Sequence, residues 1–449
     1  MSKDKIHLVM KKKLWIFLFL SFMIVAIVKP QSSADYKKIL SYTQNASFPK
    51  VLVYDAPQLP ISFREYMQLG FDYVSVYSLP NPKSIPNRYK YILWTGIASN
   101  DGNGKWASER SPFVNDTQQY PKRWNDRLNY YKERYYNYSD KNKFGMMVLD
   151  IEARKSSKEL EKNPPYRKGQ TQSKSEAIDD YKTAMERLYR APLEFAKSNH
   201  AYYENWSSYD DIPIERTWWN IPNMTWKQWI SNPSNLNYIT NKTINGKAYE
   251  TAFAKHLNFY SIGVYYFYSS RYASSNIANQ YLAYLLFHIE ANQAWTNKPI
   301  YIYHYFKYQG EKDYGTLIDE TMVRNSVIFA FMSGADGMIL YDDSRKPTND
   351  ASYHRLIKTY VESVSSLDKY RSFFTGKNVI FYRPDNPRDL FVERKPVIRG
   401  IEKNGKLLLA ATNPFAKGNE LTNLSVNYKG KTINIQLKGK ETYLKEIIL

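Results

Sequence analysis

Short runs of apolar and aromatic residues recur along the chain, with polar or helically spaced stretches between them. Eight of these runs predict strands, at residues 51–54, 73–77, 91–94, 146–149, 201–203, 262–266, 300–303 and 337–340. The runs are continuous rather than alternating, which is typical of parallel strands buried on both faces. Helical spacing occupies residues 177–198, 276–294 and 321–332. The pattern predicts an α/β fold, a (β/α)8 TIM-type barrel at residues 35–370.

The pattern changes after about Thr375, where helical spacing stops and short strands separated by polar turns follow. Asn404-Gly405 is a hairpin signal, because both central positions of the favoured two-residue turn need positive φ. We therefore expect a small all-β, sandwich-like domain of antiparallel strands at residues 376–449, packed on the barrel. Within the barrel, the polar segment at residues 155–174 predicts an exposed loop after the fourth strand.

The first residues have the pattern of a secretory signal peptide. Three lysines, Lys11 to Lys13, precede an apolar run at residues 14–28, and small residues follow at Ser32 and Ala34. The run is short for a membrane-spanning helix, which needs roughly 20 apolar residues. We expect cleavage after Ala34, export to the periplasm or the medium, and no stable membrane insertion afterwards. An uncleaved N-terminal anchor is the alternative.

Composition excludes several classes of protein. The chain has no cysteine, which excludes disulfide scaffolds, thiolate metal sites and cysteine nucleophiles. No zinc-protease, P-loop, dinucleotide or serine-hydrolase motif occurs, so we expect no metal and no cofactor. The formal charge is +20, of which residues 1–34 supply five through six lysines and one aspartate. Basic residues are spread along an exported chain, which argues against nucleic acid as the partner.

Two carboxylates, Asp150 and Glu152, end the fourth predicted strand with a spacing of i, i+2. Catalytic groups of such barrels lie at the carboxyl ends of strands. A period of two puts both side chains on one face, about 6–7 Å apart along the strand. Carboxylates this close raise the pKa of one of them, which leaves a general acid beside an ionised partner, as glycosidic cleavage requires. The alternative is a solvated strand end whose acids pair with Arg154 and Lys155.

Other acids and many aromatic residues also fall at predicted strand ends. The acids are Asp55, Glu204, Asp342 and Asp343, and the aromatic residues are Tyr54, Tyr203, Trp206, Tyr265, Tyr303 and Tyr341. Flat apolar faces with a polar tip suit sugar rings, which offer C–H faces and hydroxyl edges together. We expect Tyr54, Asp55, Tyr203, Tyr265, Tyr303, Tyr341 and Asp342 to bind substrate. Barrel strands also bury aromatic residues as core, and acids at strand ends also cap loops or form ion pairs.

Six segments of the chain, in order, match the motifs of one family. Tyr54-Asp55-Ala56-Pro57 is similar to an aromatic-Asn-Ala-Pro segment, and residues 145–152 to a Gly-Met-apolar-apolar-Asp-x-Glu strand with one extra residue. The other four segments lie at residues 199–203, 259–265, 298–303 and 334–341. Over roughly residues 48–345 the chain therefore resembles glycoside hydrolase family 56, the hyaluronidases.

The resemblance implies a retaining, substrate-assisted mechanism, in which the N-acetyl carbonyl of the substrate attacks C1. Glu152 would protonate the glycosidic oxygen and then act as a base toward water. Asp150 would hold and polarise the acetamido group, with Tyr203 and Tyr265 near the sugar at subsite −1. The chain departs from the family in having Tyr341 in place of a tryptophan, in lacking the family's disulfides and Cys-rich C-terminal module, and in its sequence after Tyr203.

With the resemblance, the positive charge suggests an anionic glycosaminoglycan of the hyaluronan or chondroitin type, because basic grooves attract such polymers. We expect an endo-β-N-acetylhexosaminidase that acts as a monomer on a polyanionic polysaccharide. Two alternatives remain open at this stage. One is the same mechanism on another amino-sugar glycan, and the other is a surface protein that binds carbohydrate without cleaving it.

Overall fold

A computed structural model gives the fold of this chain. It describes residues 48–97, 112, 120–141, 143–152, 154–167, 169–200, 202–218, 220–272, 275–344, 346–347, 350–376 and 386–449. The predicted signal peptide at residues 1–34 lies outside these ranges. No helix among the residues just given is long and apolar enough to cross a membrane.

Eight parallel strands form the main sheet, as the apolar runs predict. In chain order they are β1 (Val51–Asp55), β2 (Tyr73–Ser75), β3 (Lys90–Trp94), β4 (Phe144–Leu149), β5 (Tyr203–Ser208), β8 (Tyr260–Gly263), β9 (Ile300–Tyr305) and β10 (Gly337–Tyr341). A two-stranded hairpin, β6 (Asn241–Ile244) and β7 (Lys247–Glu250), lies between β5 and β8 in sequence. The hydrogen-bonded order is β5-β4-β3-β2-β1-β10-β9-β8, so the sheet is a nearly closed TIM barrel.

The seam between β5 and β8 closes the barrel with few backbone bonds. Its backbone bonds run from the Asn258 N–H to the Trp206 carbonyl at 2.8 Å and from the Asp210 N–H to the Ser261 carbonyl at 3.0 Å, and Tyr209 and Ser261 form an isolated parallel bridge. Side-chain hydroxyls supply further bonds: Ser207 Oγ lies 3.1 Å from Ser261 Oγ, which in turn donates to the Ser208 carbonyl. The serine hydroxyls at these positions therefore replace some of the backbone hydrogen bonds that β5 and β8 do not share.

Alternation along the strands separates two layers of core. In β4, Met146 and Val148 face the barrel interior, whereas Met147 and Leu149 pack against the surrounding helices. The helices are α1 (Phe63–Gln68), α2 (Pro121–Tyr135), α3 (Ser157–Lys162), α4 (Lys174–Asn199), α5 (Trp226–Ser231), α6 (Ala252–Lys255), α7 (Ser275–Asn279), α8 (Tyr281–Gln293), α9 (Glu320–Met332), α10 (Ala351–Asp368), α11 (Arg371–Phe374) and α12 (Arg388–Phe391). The interior layer is rich in tyrosine, which brings hydroxyl groups into the barrel.

Some predicted boundaries are wrong, and each has a local reason. The fifth strand is Tyr203–Ser208 rather than residues 201–203, because its polar residues Asn205, Ser207 and Ser208 bond to neighbouring strands. The segment at residues 155–174 includes the short helix α3, whose N-cap Ser156 forms a capping box with Glu159.

The chain ends in a small antiparallel β domain, as expected. One sheet joins β11 (Val397–Lys403), β12 (Lys406–Thr412) and β15 (Tyr443–Ile448), and a second pairs β13 (Leu421–Tyr428) with β14 (Lys431–Lys438). Asn404 and Gly405 have φ values of 52° and 72°, which confirms the predicted hairpin. Leu407, Leu409, Val426 and Ile435 are among the residues of a separate core between the two sheets.

A buried ion pair joins this domain to the barrel. Arg399 on β11 places Nε 2.5 Å and Nη2 3.2 Å from the two carboxylate oxygens of Glu290 on α8, and both side chains are fully buried. Ser333 Oγ donates to the same carboxylate at 2.8 Å, and Arg399 Nη1 donates to the Ile398 carbonyl. The charges are thus matched and hydrogen-bonded inside the interface.

Candidate active site

A cavity of about 210 Å³ opens at the carboxyl end of the barrel strands. It is lined by Leu93, Asp150, Glu152, Tyr209, Tyr265, Tyr303, Gln309, Tyr314, Tyr341 and Asp343. The sequence pattern predicted five of these residues as site residues: both carboxylates and Tyr265, Tyr303 and Tyr341. They come from different strands that meet at this end because the sheet is parallel and closed.

The alternation of β4 explains how the two carboxylates reach the cavity. Met146 and Val148 face the interior, so Asp150, two residues on, lies on the same face, and its N–H donates to the Trp94 carbonyl at 3.0 Å. Glu152 follows with φ of 46°, a left-handed conformation that is uncommon for residues other than glycine. Such backbone costs about 1–3 kcal/mol and is found mostly at functional sites. Glu152 is the more exposed of the two acids.

A network of charges near Glu152 joins Arg154, two residues after it, to the segment that follows β5. Arg154 Nη1 lies 2.5 Å from Asp211 Oδ1, and Ser208 Oγ donates to the other oxygen of that carboxylate at 2.5 Å. Arg216 Nη1 lies 3.1 Å from Asp210 Oδ2 and also donates to the Gly263 carbonyl. Two arginines and two aspartates are thus paired beside the catalytic candidates.

Tyr209 forms the wall between this network and the cavity. Its hydroxyl donates to the Tyr265 hydroxyl at 3.2 Å, and its ring packs edge-on against Tyr303 with the ring centroids 5.0 Å apart. The place of this ring depends on Gly263, because a Cβ there would lie 2.3 Å from the Tyr209 hydroxyl oxygen. Glycine at position 263 therefore allows Tyr209 to close the wall.

A second wall of the cavity comes from β9, β10 and the loops that follow them. Tyr303 shares a 2.7 Å hydrogen bond with Tyr91 across the barrel interior. Asp343 accepts hydrogen bonds from the hydroxyls of Tyr305, at 3.0 Å, and Tyr314. This wall presents hydroxyl groups and aromatic faces together, the combination that suits a sugar ring.

Burial and neighbouring negative charges raise the pKa values of Asp150 and Glu152. Burial, then the nearby charges of Glu152 and Asp211, raises the pKa of Asp150 to about 7. Burial and the charge of Asp210 also raise the pKa of Glu152, whereas Arg216 and Arg154 oppose that rise. The pair therefore retains a proton at a pH where isolated carboxyls are ionised, as a general acid requires.

Four other predicted substrate-binding residues lie outside the cavity lining. Tyr203 begins β5, where it pairs with Phe144, so it lies at the end of the barrel away from the cavity. Tyr54 is buried among Tyr66 and other residues between sheet and helices, and its hydroxyl donates to the Pro57 carbonyl. Neither ring is placed to touch a ligand in the cavity.

The two remaining acids lie at the correct end of the barrel but beneath its surface. Asp55 is fully buried and pairs with Tyr341 across β1 and β10. Asp342 is also fully buried and forms a 2.7 Å ion pair with Lys307. Both therefore support the cavity rather than line it. Glu204 and Trp206, the other candidates on β5, lie within the strand and outside the cavity lining.

Sequence reasoning missed Tyr209, Asp210, Asp211 and Arg216. Tyr209, Asp210 and Asp211 lie in the run Ser207-Ser208-Tyr209-Asp210-Asp211, whose pattern is typical of a strand end followed by acids. Within the described part of the chain, no cluster of three or more histidine, aspartate or glutamate side chains is arranged to hold a metal ion.

Comparisons with known proteins give likenesses of fold. No protein-family model and no curated protein matches the sequence. Bee venom hyaluronidase is similar in structure at 14% identity and a TM-score of 0.44, over 70% of this chain and 99% of that chain. Its complex with a hyaluronic acid tetramer matches at 12% identity and a TM-score of 0.38, over 73% and 97% of the two chains. A GH30 endoxylanase from Clostridium papyrosolvens matches at 12% identity and a TM-score of 0.30, over 90% and 95%.

Proposed function

We propose that this protein is a secreted, retaining endo-glycosidase that cleaves β-linked N-acetylhexosamine bonds by substrate-assisted catalysis. The observation that carries the proposal is the meeting of Asp150 and Glu152 with a wall of tyrosines in one cavity at the barrel mouth. The raised pKa values of both acids add a proton source near neutral pH. Aromatic faces and hydroxyls around that source suit a pyranose ring.

The roles of the two carboxylates follow from their positions. Glu152 is the more exposed acid, so it is the one that a leaving group can reach, whereas Asp150 lies deeper. As the acetamido oxygen attacks C1, the C1–O bond breaks and Glu152 gives its proton to the glycosidic oxygen. Glu152 then removes a proton from the water that attacks C1, and the acetamido group is restored with retention of configuration.

Substrate binding would also place the proton on the correct acid. In the free protein, burial and the charge of Glu152 favour the protonated form of Asp150. An acetamido N–H that donates to Asp150 stabilises its ionised form and lowers its pKa. The proton is then retained by Glu152, where the reaction needs it.

The same pKa gives a pH dependence. Because Asp150 titrates at about 7, we expect kcat/KM to fall as the pH rises through 7, where the pair loses its proton. The pH profile of kcat/KM for wild type and Asp150→Asn checks this. The variant should be slow and should lack the decline near pH 7, and a wild-type profile that stays level to pH 9 would contradict the assignment.

Two substrate classes deserve comparison. An anionic glycosaminoglycan suits the positive charge, which is +20 for the whole chain and +15 once residues 1–34, with their charge of +5, are removed. A neutral amino-sugar polymer is the second candidate, because the cations next to the cavity are already paired: Arg154 with Asp211, Arg216 with Asp210 and Lys307 with Asp342. Among the residues that line the cavity, Asp343 adds a third acid.

The test is the release of reducing ends from hyaluronan, chondroitin and a neutral N-acetylglucosamine polymer, with the anomer of the first product followed by NMR. Cleavage with initial release of the β-anomer supports the proposal, and the preferred polymer decides the substrate class. An initial α-anomer would exclude substrate assistance. Absence of cleavage of all three polymers would favour the carbohydrate-binding alternative.

A further inference from the structure

A second cavity, of about 430 Å³, lies beside the first on the side of Glu152. Its lining includes Ser156 and Ser157, which follow Glu152 closely in sequence, and Arg216 from the segment after β5. Arg216 holds Asp210 at 3.1 Å, and both charges act on Glu152. Asp210 directly follows Tyr209, which lines the first cavity, so its ion pair with Arg216 links the second cavity to the wall of the first.

The second cavity combines an apolar platform with polar groups at its rim. The half-buried ring of Trp218 is fixed from behind by Tyr281 and Tyr284, with ring centroids 5.0 and 4.6 Å away. Lys158 and Asn220 reach the rim from α3 and from the turn before Ile221–Asn223, and both side chains are exposed. An aromatic platform rimmed by hydrogen-bonding groups is the composition expected of a sugar subsite.

The direction of bond cleavage assigns a role to this cavity. The general acid gives its proton to the leaving oxygen, so the leaving sugar must lie on the side of the acid. The second cavity is lined by Arg216, whose charge acts on Glu152, and by Ser156 and Ser157, which follow Glu152 in sequence. We infer that the cavity lined by Trp218, Lys158 and Asn220 binds the sugar unit on the leaving-group side of the scissile bond. This inference rests on the proposed function, because it takes Glu152 as the acid.

The charges of this cavity indicate a pyranose held by stacking and hydrogen bonds. Lys158 and Arg216 contribute positive charge, Glu215 contributes negative charge, and Arg216 is already paired with Asp210. Both oxygens of Glu215 lie within 3.3 Å of the Ser157 N–H, so that carboxylate is fixed in the wall. Lys158 and Asn220 are left to contact ring hydroxyls or a carboxylate of the leaving sugar.

The experiment uses binding to the slow variant Glu152→Gln, so that it does not depend on turnover. A hyaluronan octasaccharide can span both cavities. A tetrasaccharide that ends in N-acetylglucosamine can bind through the first cavity without reaching the second. We expect Lys158→Ala with Asn220→Ala to weaken octasaccharide binding about tenfold, the loss expected for two hydrogen bonds. Tetrasaccharide affinity should change less than about twofold, since its contacts lie elsewhere.

The control is Lys162→Ala with Asn223→Ala, in the same background. Lys162 ends α3 and Asn223 ends the turn after Asn220, and both are exposed and outside the cavity lining. The control should leave both affinities unchanged. If the octasaccharide binds no better than the tetrasaccharide, or if the test variant weakens both equally, the inference is overturned. Reducing-end release by the wild type, measured in parallel, decides the proposed function separately from this result.

Discussion

Replacement of Glu152 by glutamine should lower kcat by about 10²–10⁴-fold, because loss of a general acid removes that much from the rate. The change is nearly isosteric, so the left-handed backbone at φ of 46° and the walls of the cavity should be kept. Substrate affinity should therefore change little. The measurement is kcat and KM for reducing-end release, with oligosaccharide binding measured on the same protein.

Glu161→Gln provides the matched control. Glu161 is another glutamate of the segment after β4, lies on α3, and pairs with Lys174 at the surface. Its replacement should leave kcat within about twofold of wild type, because exposed ion pairs contribute little to stability. Unchanged depolymerisation by Glu152→Gln would remove Glu152 from the role of acid. Equal oligosaccharide binding by wild type and Glu152→Gln, with no bond cleaved by either, would favour a carbohydrate-binding protein.

Breaking the ion pair between the barrel and the β domain should destabilise the whole protein. In Glu290→Gln the guanidinium of Arg399 loses its charged partner in a fully buried site, which costs about 3–5 kcal/mol. The free energy of unfolding from a denaturant titration measures the loss. The exposed pair between Lys406 and Glu446 in the same domain gives the comparison, since Glu446→Gln should cost less than about 1 kcal/mol.

A double replacement separates the charge effect from the packing effect. Glu290→Met with Arg399→Met removes both charges and keeps apolar volume, so much of the lost stability should return. A loss below about 1 kcal/mol in Glu290→Gln would show that the interface does not depend on this pair. Two separate unfolding transitions in the wild type would also contradict the picture of a single cooperative unit.

The fold was predictable wherever a strand is apolar on both faces. The strands β1, β3, β4, β9 and β10 are continuous apolar runs because each lies between the barrel interior and the helices. The strand β5 was misplaced because it contains polar residues whose side chains bond to the neighbouring strands. Asn205 donates to the Gly145 carbonyl on β4, and the Ser207 hydroxyl bonds to the Ser261 hydroxyl on β8. From the sequence alone such polar residues predict a loop, because the neighbouring strands that bond to them are not known.

The predicted residues that line the cavity all end or follow an apolar run: Asp150 and Glu152 after β4, and Tyr265, Tyr303 and Tyr341 on or after three other strands. Asp150 and Glu152 follow from the alternation of β4, which needs no knowledge of tertiary structure. The wall of Tyr209, Asp210 and Arg216 depends on where β5 ends and on the absence of a side chain at Gly263. Tyr203 was expected at the end of its strand for the same reason, but it begins β5, and Tyr209, six positions later, lines the cavity.

The seam between β5 and β8 has a consequence for heat inactivation. The other neighbouring strands of the barrel share backbone ladders, whereas this pair shares one bridge, and serine hydroxyls supply much of the rest. Tyr209 and Asp210 make the last contacts of this seam, and Asp211 follows them; all three belong to the wall beside Glu152. Local opening is easiest where backbone pairing is sparse. Warming would therefore disrupt this wall before the barrel unfolds, and the proposed activity would be lost while most of the secondary structure persists.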